Sequence, residues 1–398
     1  MRRMILVLVL LALASPLAVR EGGLAAQDRH MEVALRVLSS TPLVDGHNDL
    51  PWAIRGSATA PFDVAAYDLR RRTVGHTDIP RLREGQVGAQ FWSVYVPSDA
   101  VNEGAARVQL EEIDIARQII AAYPDHFELA VSPSDVERVF GSGRIASMLG
   151  MEGGHAIENS MGALRAFFDL GVRYMTLTHS ASIDWADAGT GEVLHGGLTP
   201  FGEEVIREMN RLGMLVDLSH ASPGTMSDVL DVTEAPIIFS HSSARALTDH
   251  VRNVPDSILR RMPENGGVVM VTFVPSFINE QVRTFQGPRD QMPRATLGDV
   301  ADHIEHIRDL AGVDYVGIGS DFDGISSTPV GLEDVSTYPV LFAEMSRRGW
   351  SESDLRKLAG DNLLRAWRDA ESAARRIQRV RGPSLATIEA LDGAQRQD

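Results

Sequence analysis

Residues 42–49 read PLVDGHND, a short apolar run that ends in side chains able to bind metal. The run has the length and composition of a buried strand. Successive side chains of an extended chain point to opposite faces, so His47 and Asp49 can bind one cation while Asn48 points away. Such a motif is weak by itself, since a surface histidine beside a turn aspartate is common. Its meaning depends on how the other strands end.

The rest of the chain alternates short β-rich runs with helix-period stretches, which is the pattern of a parallel sheet. We predict eight strands, at residues 42–46, 88–95, 145–150, 172–177, 214–219, 236–240, 267–273 and 314–320. Helices are predicted at 104–122, 160–170, 199–212, 255–263, 297–311 and 351–371, with Ser160, Thr199 and Thr296 as capping residues. Eight strands without a glycine-rich dinucleotide loop after the first favour an α/β fold of the (β/α)8 TIM-barrel type over a doubly wound sheet. No linker suggests a domain boundary, so we predict one barrel domain with C-terminal helices over residues 27–398.

Composition excludes several classes of protein. The 398 residues carry a formal charge of -16, which leaves no basic footprint for binding nucleic acid. Cysteine is absent, so disulfides, thiolate nucleophiles and cysteine-ligated metals are excluded. Any metal must therefore be bound by histidine and carboxylate side chains.

The first residues have the order of an export signal. Arg2 and Arg3 precede an apolar run from Met4 to Leu13, and small residues follow that run. The run is shorter than the roughly 20 residues that a membrane span needs. We predict that residues 1–26 are a signal peptide and that the mature protein is exported, periplasmic or secreted, without a membrane anchor.

Most of the predicted strands end in a side chain that can bind metal or transfer a proton. After the first, such endings are Glu152, His179, Asp217 with His220, His241 and Asp321. Barrel enzymes gather their active sites at the carboxyl ends of the strands. Burying several ionisable groups together costs several kcal/mol each unless they are paired or bind metal. The sequence therefore predicts a metal site at this end of the barrel.

The number of candidate ligands indicates two metal ions. A single catalytic zinc usually takes three protein ligands, and this end offers at least three histidines and two or three carboxylates. Two-metal hydrolases need a bridging carboxylate between the ions. Many barrel hydrolases use a carboxylated lysine, but the sole lysine, Lys357, follows the eighth strand in a helical stretch. Glu152, at a strand end and before two glycines, is the best candidate for the bridge.

Seven short motifs together resemble the membrane (renal-type) dipeptidase family. They are DGHNDLPW from Asp45, EGGH from Glu152, LTHS from Leu177, DLSH from Asp217, FSHSS from Phe239, RNVPD from Arg252 and GSDFDG from Gly319. Their order and spacing match over about residues 40–370. The resemblance implies a zinc-dependent, amidohydrolase-like barrel with two zinc ions per chain. It also implies that the protein hydrolyses dipeptides, and it suggests a homodimer.

The resemblance also implies how the metals would be bound. His47 and Asp49 would bind one zinc ion, and His220 and His241 would bind the other. Glu152 would bridge the two ions. A hydroxide shared by the ions would then attack the carbonyl of the peptide bond.

Three further residues have roles in substrate binding and catalysis by resemblance. His179 would face the scissile carbonyl and stabilise the developing oxyanion. Arg252 would bind the terminal carboxylate of the dipeptide. Asp321 would hold the substrate amine and shuttle a proton.

The chain departs from the family at several points. Phe277 lies where the family often offers a tyrosine to the substrate. Mammalian relatives are anchored at the C-terminus and disulfide-linked, whereas this tail is polar up to Asp398 and the chain has no cysteine. We therefore expect neither attachment by the tail nor covalent dimerisation.

Two other functions remain open from the sequence. One is a related two-metal amidohydrolase acting on another amide, a lactam or a phosphoester. Arg252 argues against a phosphotriester, which has no carboxylate to pair with a guanidinium. The other is an exported zinc-binding or scaffold protein on an inactive barrel, although all five implied ligands are present.

Four residues outside the implied site have less specific interpretations. His155 could orient Glu152, or it could be a loop histidine that bonds the backbone. His303 and His306 are predicted to lie on a solvated helix face, and Asp323 is predicted to be a turn residue.

Overall fold

The computed structural model describes residues 29–102 and 104–393, and the predicted signal peptide lies outside this part of the chain. Within it, nine strands form one parallel sheet. They are β1 (Leu43–Asn48), β2 (Val87–Tyr95), β3 (Phe127–Leu129), β4 (Ile145–Glu152), β5 (Val172–Thr176), β6 (Leu215–Asp217), β7 (Ile237–Phe239), β8 (Val268–Val271) and β9 (Val316–Ile318). All eight predicted strands are present.

The sheet closes into the predicted (β/α)8 barrel. The order is β2-β1-β9-β8-β7-β6-β5-β4, and a ladder between β2 and β4 completes the ring. The ninth strand, β3, was not predicted. It pairs only with the first three residues of β4, from Ile145 to Ser147, and has one buried apolar residue, Phe127. A strand this short leaves no periodic signal.

Helices surround the strands. They are α1 (29–38), α2 (Leu50–Arg55), α3 (Val64–Tyr67), α4 (Ile79–Glu84), α5 (Ala105–Ala122), α6 (Pro133–Gly141), α7 (Met161–Asp169), α8 (Pro200–Leu212), α9 (Pro223–Val232), α10 (Asp256–Leu259), α11 (Met262–Asn265), α12 (Pro275–Ile278), α13 (Glu280–Thr284), α14 (Leu297–Ala311), α15 (Tyr338–Arg347), α16 (Glu352–Arg356), α17 (Asn362–Ile377) and α18 (Ile388–Asp392). Among the described residues, no helix is both long and apolar enough to span a membrane.

The predicted helix starts are confirmed at three caps. Ser160 and Thr199 accept hydrogen bonds from the first turns of α7 and α8, and Thr296 forms a capping box with Asp299. The single helix predicted over 255–263 is wrong. It is two short helices, because Pro263 cannot continue α10 and instead lies in the first turn of α11.

Two apolar layers hold the barrel. One layer packs the outer helices against the strands. The other fills the barrel interior from its amino-terminal end, where α17 inserts Trp367 against Phe91 with ring centroids 5.9 Å apart. The carboxyl ends of the strands are left for polar side chains.

Candidate functional site

The five predicted metal ligands meet around the carboxylate of Glu152 at the end of β4. One oxygen, Oε2, lies 3.3 Å from Nε2 of His47, which is itself 3.4 Å from Oδ2 of Asp49. The other oxygen, Oε1, lies 3.0 Å from Nε2 of His220 and 3.4 Å from Nε2 of His241. The two oxygens of one carboxylate thus face two different sets of ligands.

The end of β1 gives His47 and Asp49 their common direction. Asn48 turns away and donates to Oγ1 of Thr77 at 2.8 Å, as the alternation predicts. Asp45 holds this strand end from behind, since its Oδ1 accepts the backbone N–H of Ser320 at 2.8 Å and that of His47 at 3.2 Å. The β1 ligands are therefore fixed to the neighbouring strand β9.

His241 is oriented by a hydrogen-bonded chain through Ser240 and Asp217. The Ser240 hydroxyl donates to Oδ2 of Asp217 at 2.6 Å and lies 2.7 Å from Nδ1 of His241. Because the hydroxyl proton goes to the carboxylate, Nδ1 of His241 must donate to Ser240. Its Nε2 then keeps a lone pair towards Glu152, which is the form that binds metal.

The charges of the site are arranged for a cation. Burial and the Arg252 cation hold the pKa values of His220 and His241 well below their ordinary range, so both imidazoles are neutral. Burial alone would raise the pKa of Glu152, but His47 and a hydrogen bond from His220 lower it well below its ordinary value. An ionised carboxylate therefore faces the neutral imidazoles of His220 and His241.

His47 carries the proton that a cation would replace. Burial lowers its pKa, but Tyr174, Glu152 and Asp49 outweigh that effect and raise the pKa well above its ordinary value. Its Nε2 is buried without a hydrogen-bond partner, and the Nε2 atoms of His220 and His241 face each other at 3.0 Å. Nitrogen and oxygen donors crowded in this way fit a bound zinc-type ion.

A cavity of about 320 Å³ opens onto these ligands and is lined also by His179, Arg252 and Asp321. Arg252 is buried, and its Nη1 has no hydrogen-bond partner. Burial lowers the pKa of Arg252 only to about 10, so it stays a cation at neutral pH. Burial and Asp49 raise the pKa of Asp321 well above its ordinary value. The three predicted substrate residues thus share one cavity with the ligands.

The chain matches the sequence model of the membrane dipeptidase family, peptidase family M19, over residues 31–381. The protein belongs to the membrane dipeptidase family. The predicted membership is confirmed, and the chain is a metal-dependent dipeptidase.

Solved structures of this type share the fold. The probable dipeptidase PvdM from Pseudomonas aeruginosa is 24% identical, with a TM-score of 0.78 over 87% of this chain and 100% of that one. The metallopeptidase dipeptidase AC is 30% identical, with a TM-score of 0.73 over 82% and 99%. A Rhodobacter sphaeroides metallopeptidase, solved with a phosphinate mimic of L-Ala-D-Ala, is 29% identical, with a TM-score of 0.72 over 83% and 99%.

Several secondary interpretations of this dipeptidase sequence can now be decided. His155 bonds the backbone carbonyl of Pro97 at 3.1 Å, which is the loop-histidine alternative. The solvated face predicted for His303 is wrong, because it is buried and its Nδ1 accepts from the backbone N–H of Ala244 at 3.0 Å. His306 is partly buried and pairs with Asp256 at 2.9 Å. None of these three histidines belongs to a cluster of possible metal ligands among the described residues.

Three other positions make contacts of their own, outside the set of expected metal ligands. Asp323 is more than a turn residue, since its buried carboxylate accepts the backbone N–H of His76 at 2.7 Å. Phe277 lines the cavity and stacks on His250 with centroids 4.2 Å apart, but it offers no hydroxyl. Lys357 pairs with Asp314 at 2.6 Å, in an ion pair of its own.

Sequence reasoning missed the residues that orient the ligands. Asp45 and Ser240 looked like ordinary strand residues, and Asp217 was noted only as a strand ending. Trp52 and Tyr95 form an aromatic wall of the cavity, with their rings edge to face and the ring centroids 5.0 Å apart. Trp52 ends the motif DGHNDLPW, but no motif indicated that either residue would line a cavity. The contacts of these side chains are made between neighbouring elements of the barrel, so they leave no pattern along the chain.

Proposed function

We propose that this protein is an exported dipeptidase with two zinc ions that hydrolyses the peptide bond of dipeptides. The observation that carries the proposal is the orientation of the Glu152 carboxylate. One of its oxygens faces His47, and the other faces His220 and His241. A carboxylate in that position can neutralise and join two cations. His47 and Asp49 would hold one ion, and His220 and His241 the other.

Bound zinc would supply a Lewis acid that polarises the scissile carbonyl and lowers the pKa of a water molecule. The chain's own residues would bind and orient the substrate. Arg252 is a buried cation with a free Nη1, so it would bind the carboxylate of the dipeptide. His179, a neutral imidazole because burial lowers its pKa, would donate a hydrogen bond to the carbonyl oxygen.

Asp321 would act at the other end of the substrate. Its carboxyl holds a proton because burial and Asp49 raise its pKa. It would bind the substrate amine and pass a proton to the nitrogen that leaves when the C–N bond breaks. With Arg252 and Asp321 fixing both termini, a cavity of about 320 Å³ favours substrates of two residues.

Metal content tests the number of ions. Protein refilled with zinc and then desalted should contain close to two zinc ions per chain. A firm value of one, with full activity, would refute the binuclear site.

A substrate panel tests the reaction. Dipeptides should be cleaved far faster than tripeptides and N-acetylated dipeptides by the zinc-loaded protein, since only dipeptides satisfy both terminal anchors. Equal rates on all three classes would contradict the anchoring by Arg252 and Asp321.

The export part of the proposal rests on the order of residues 1–26. Expression of the full chain in a bacterial host should yield a protein in the exported fraction that lacks these residues. Amino-terminal sequencing checks the cleavage, and a cytoplasmic protein with an intact Met1 would refute it.

A further inference from the structure

Tyr174 lies inside the barrel, far in sequence from the metal ligands. It belongs to β5, is fully buried, and its hydroxyl lies 2.9 Å from Nδ1 of His47 on β1. These strands are not neighbours in the sheet, so the ring crosses the barrel interior. Gly150 makes room for it, since a β-carbon there would lie 2.0 Å from Cζ of Tyr174.

The hydrogen bonds of this hydroxyl have one consistent direction. Tyr174 also bonds the backbone carbonyl of Gly46 at 3.1 Å, and a carbonyl can only accept. The hydroxyl therefore gives its single proton to Gly46. Nδ1 of His47 must therefore be the donor to the tyrosine oxygen. That leaves Nε2 as the atom of His47 that faces Glu152 and Asp49.

We propose that Tyr174 is a positioning residue that holds His47 with its proton on Nδ1 and its Nε2 directed into the metal site. The proposal rests on the function proposed above. Tyr174 would act only through His47, because its hydroxyl is used by His47 and Gly46 and it does not line the substrate cavity. Hydrogen-bond partners of this kind fix both the tautomer and the direction of a metal-binding imidazole.

His47 and His241 are thus held in different ways. His241 is held by Ser240, its neighbour in sequence, backed by Asp217. His47 is held from across the barrel, by a side chain that β5 carries. The zinc affinity at His47 should consequently depend on a residue that touches neither metal nor substrate.

Tyr174→Phe tests the proposal by removing only the hydroxyl. Zn²⁺ binding is measured on metal-free protein by competition with a chromophoric chelator. We expect one of the two zinc ions to bind about 10 to 100-fold more weakly, the range for loss of such a partner. Activity at limiting zinc should fall and recover when zinc is added, while KM for a dipeptide stays near the wild-type value.

Tyr123→Phe is the matched control. Tyr123 is also buried, and its hydroxyl accepts a hydrogen bond from the backbone N–H of Leu69, away from the site. Its variant should bind both zinc ions as the wild type does. If Tyr174→Phe binds zinc as tightly as Tyr123→Phe, the positioning role is refuted, although a wild type with two zinc ions would still support the proposed function. If the wild type itself does not bind two zinc ions, the proposed function fails instead.

A measurement on the wild type covers the case in which Tyr174→Phe does not fold. Spectra of zinc-loaded protein with ¹⁵N-labelled histidine report which ring nitrogen carries the proton. His47, assigned by the loss of its signal in His47→Gln, should carry a slowly exchanging proton on Nδ1. A proton on Nε2, or rapid exchange at Nδ1, would overturn the proposal.

Discussion

The two ends of the barrel are built from the same strands and have opposite character. At the carboxyl end, His47, Glu152 and His241 bring ionisable atoms to within 4.8 Å of one another. At the amino end, Trp367 and Leu363 of α17 pack among apolar residues that begin the strands. A cavity of about 530 Å³ near Pro236 and Arg376 also opens at the amino end. Among the described residues, none of the three clusters of possible metal ligands borders it.

The difference teaches that a strand can carry stability at its start and chemistry at its end. β4 illustrates it, since it runs from the apolar Ile145 to Glu152 and is buried throughout. Two residues of the carboxyl end, His220 and Asp321, hold left-handed backbone angles, with φ of 68° and 69°. Such angles are costly for residues other than glycine and concentrate at functional sites. Changes at the two ends should therefore separate activity from stability.

Glu152→Gln should have the largest effect, and on activity alone. An amide neither neutralises nor joins two cations, so we expect a loss of a thousandfold or more in kcat/KM, about 4 kcal/mol. Glu208→Gln is the control, since Glu208 is equally buried but pairs with Arg211 and Arg165. It should leave kcat/KM unchanged. Near-normal turnover of Glu152→Gln would mean that the bridge is another residue.

Trp367→Ala tests the opposite end. Removing this buried ring should lower the free energy of unfolding by about 3 to 5 kcal/mol. At a temperature where the variant is still folded, zinc content and kcat/KM should match the wild type, because the ring lies at the far end of the interior from the ligands. Denaturant unfolding and metal analysis check the two parts. A loss of zinc from the folded variant would show that the ends are not independent.

Arg252→Ala divides the carboxyl end itself into metal-binding and substrate-binding parts. The variant should keep its zinc but lose about 2 to 5 kcal/mol of transition-state binding for dipeptides. A dipeptide amide, which lacks the carboxylate, should be affected far less. Arg245→Ala, which removes a guanidinium paired with Asp249, is the control and should alter neither rate. Equal damage to both substrates in Arg252→Ala would contradict its role in carboxylate binding.

His303 tests whether a perturbed histidine must be catalytic. Burial lowers its pKa to about 4, from 6.5, so the unfolded chain takes up a proton here first as the pH falls. Stability from this residue is complete above pH 6.5 and is lost between 6.5 and about 4, by at most roughly 3 kcal/mol. In metal-free protein, His303→Gln should unfold with a smaller loss of stability between pH 7 and 5 than the wild type. Its activity at pH 7 should be normal. An unchanged slope in His303→Gln would refute the assignment.

Sequence patterns were sufficient for features that repeat along the chain. Alternation of strand and helix was enough to predict the barrel. The polar strand endings were enough to predict that His47, Glu152 and His241 lie together at one end of it. The three-residue strand β3 gave no repeat to detect. His303 did have a signal, because Val300, Ile304 and Ile307 lie on the same buried face of α14, and a histidine within that stripe is buried with them.

The orienting residues could not be found in this way. Tyr174 lies between Arg173 and Met175 in β5, and nothing in its neighbourhood along the chain indicates His47. The contact exists only because the barrel closes and Gly150 leaves space for the ring. Side chains that act through tertiary contacts of this kind carry no local sequence pattern.

The difference between residues on strands and residues on loops has a consequence for protein engineering. Glu152 belongs to β4, whose ladder with β2 runs over seven registered residues, whereas Arg252 and Phe277 lie on the segments that follow β7 and β8. A library that varies those two segments but keeps His241, which also follows β7, would explore new leaving groups and side chains. The strand residues His47 and Glu152 would keep their register. Substrate preference could therefore be varied in the loops while the strands preserve the arrangement of Glu152 and His47.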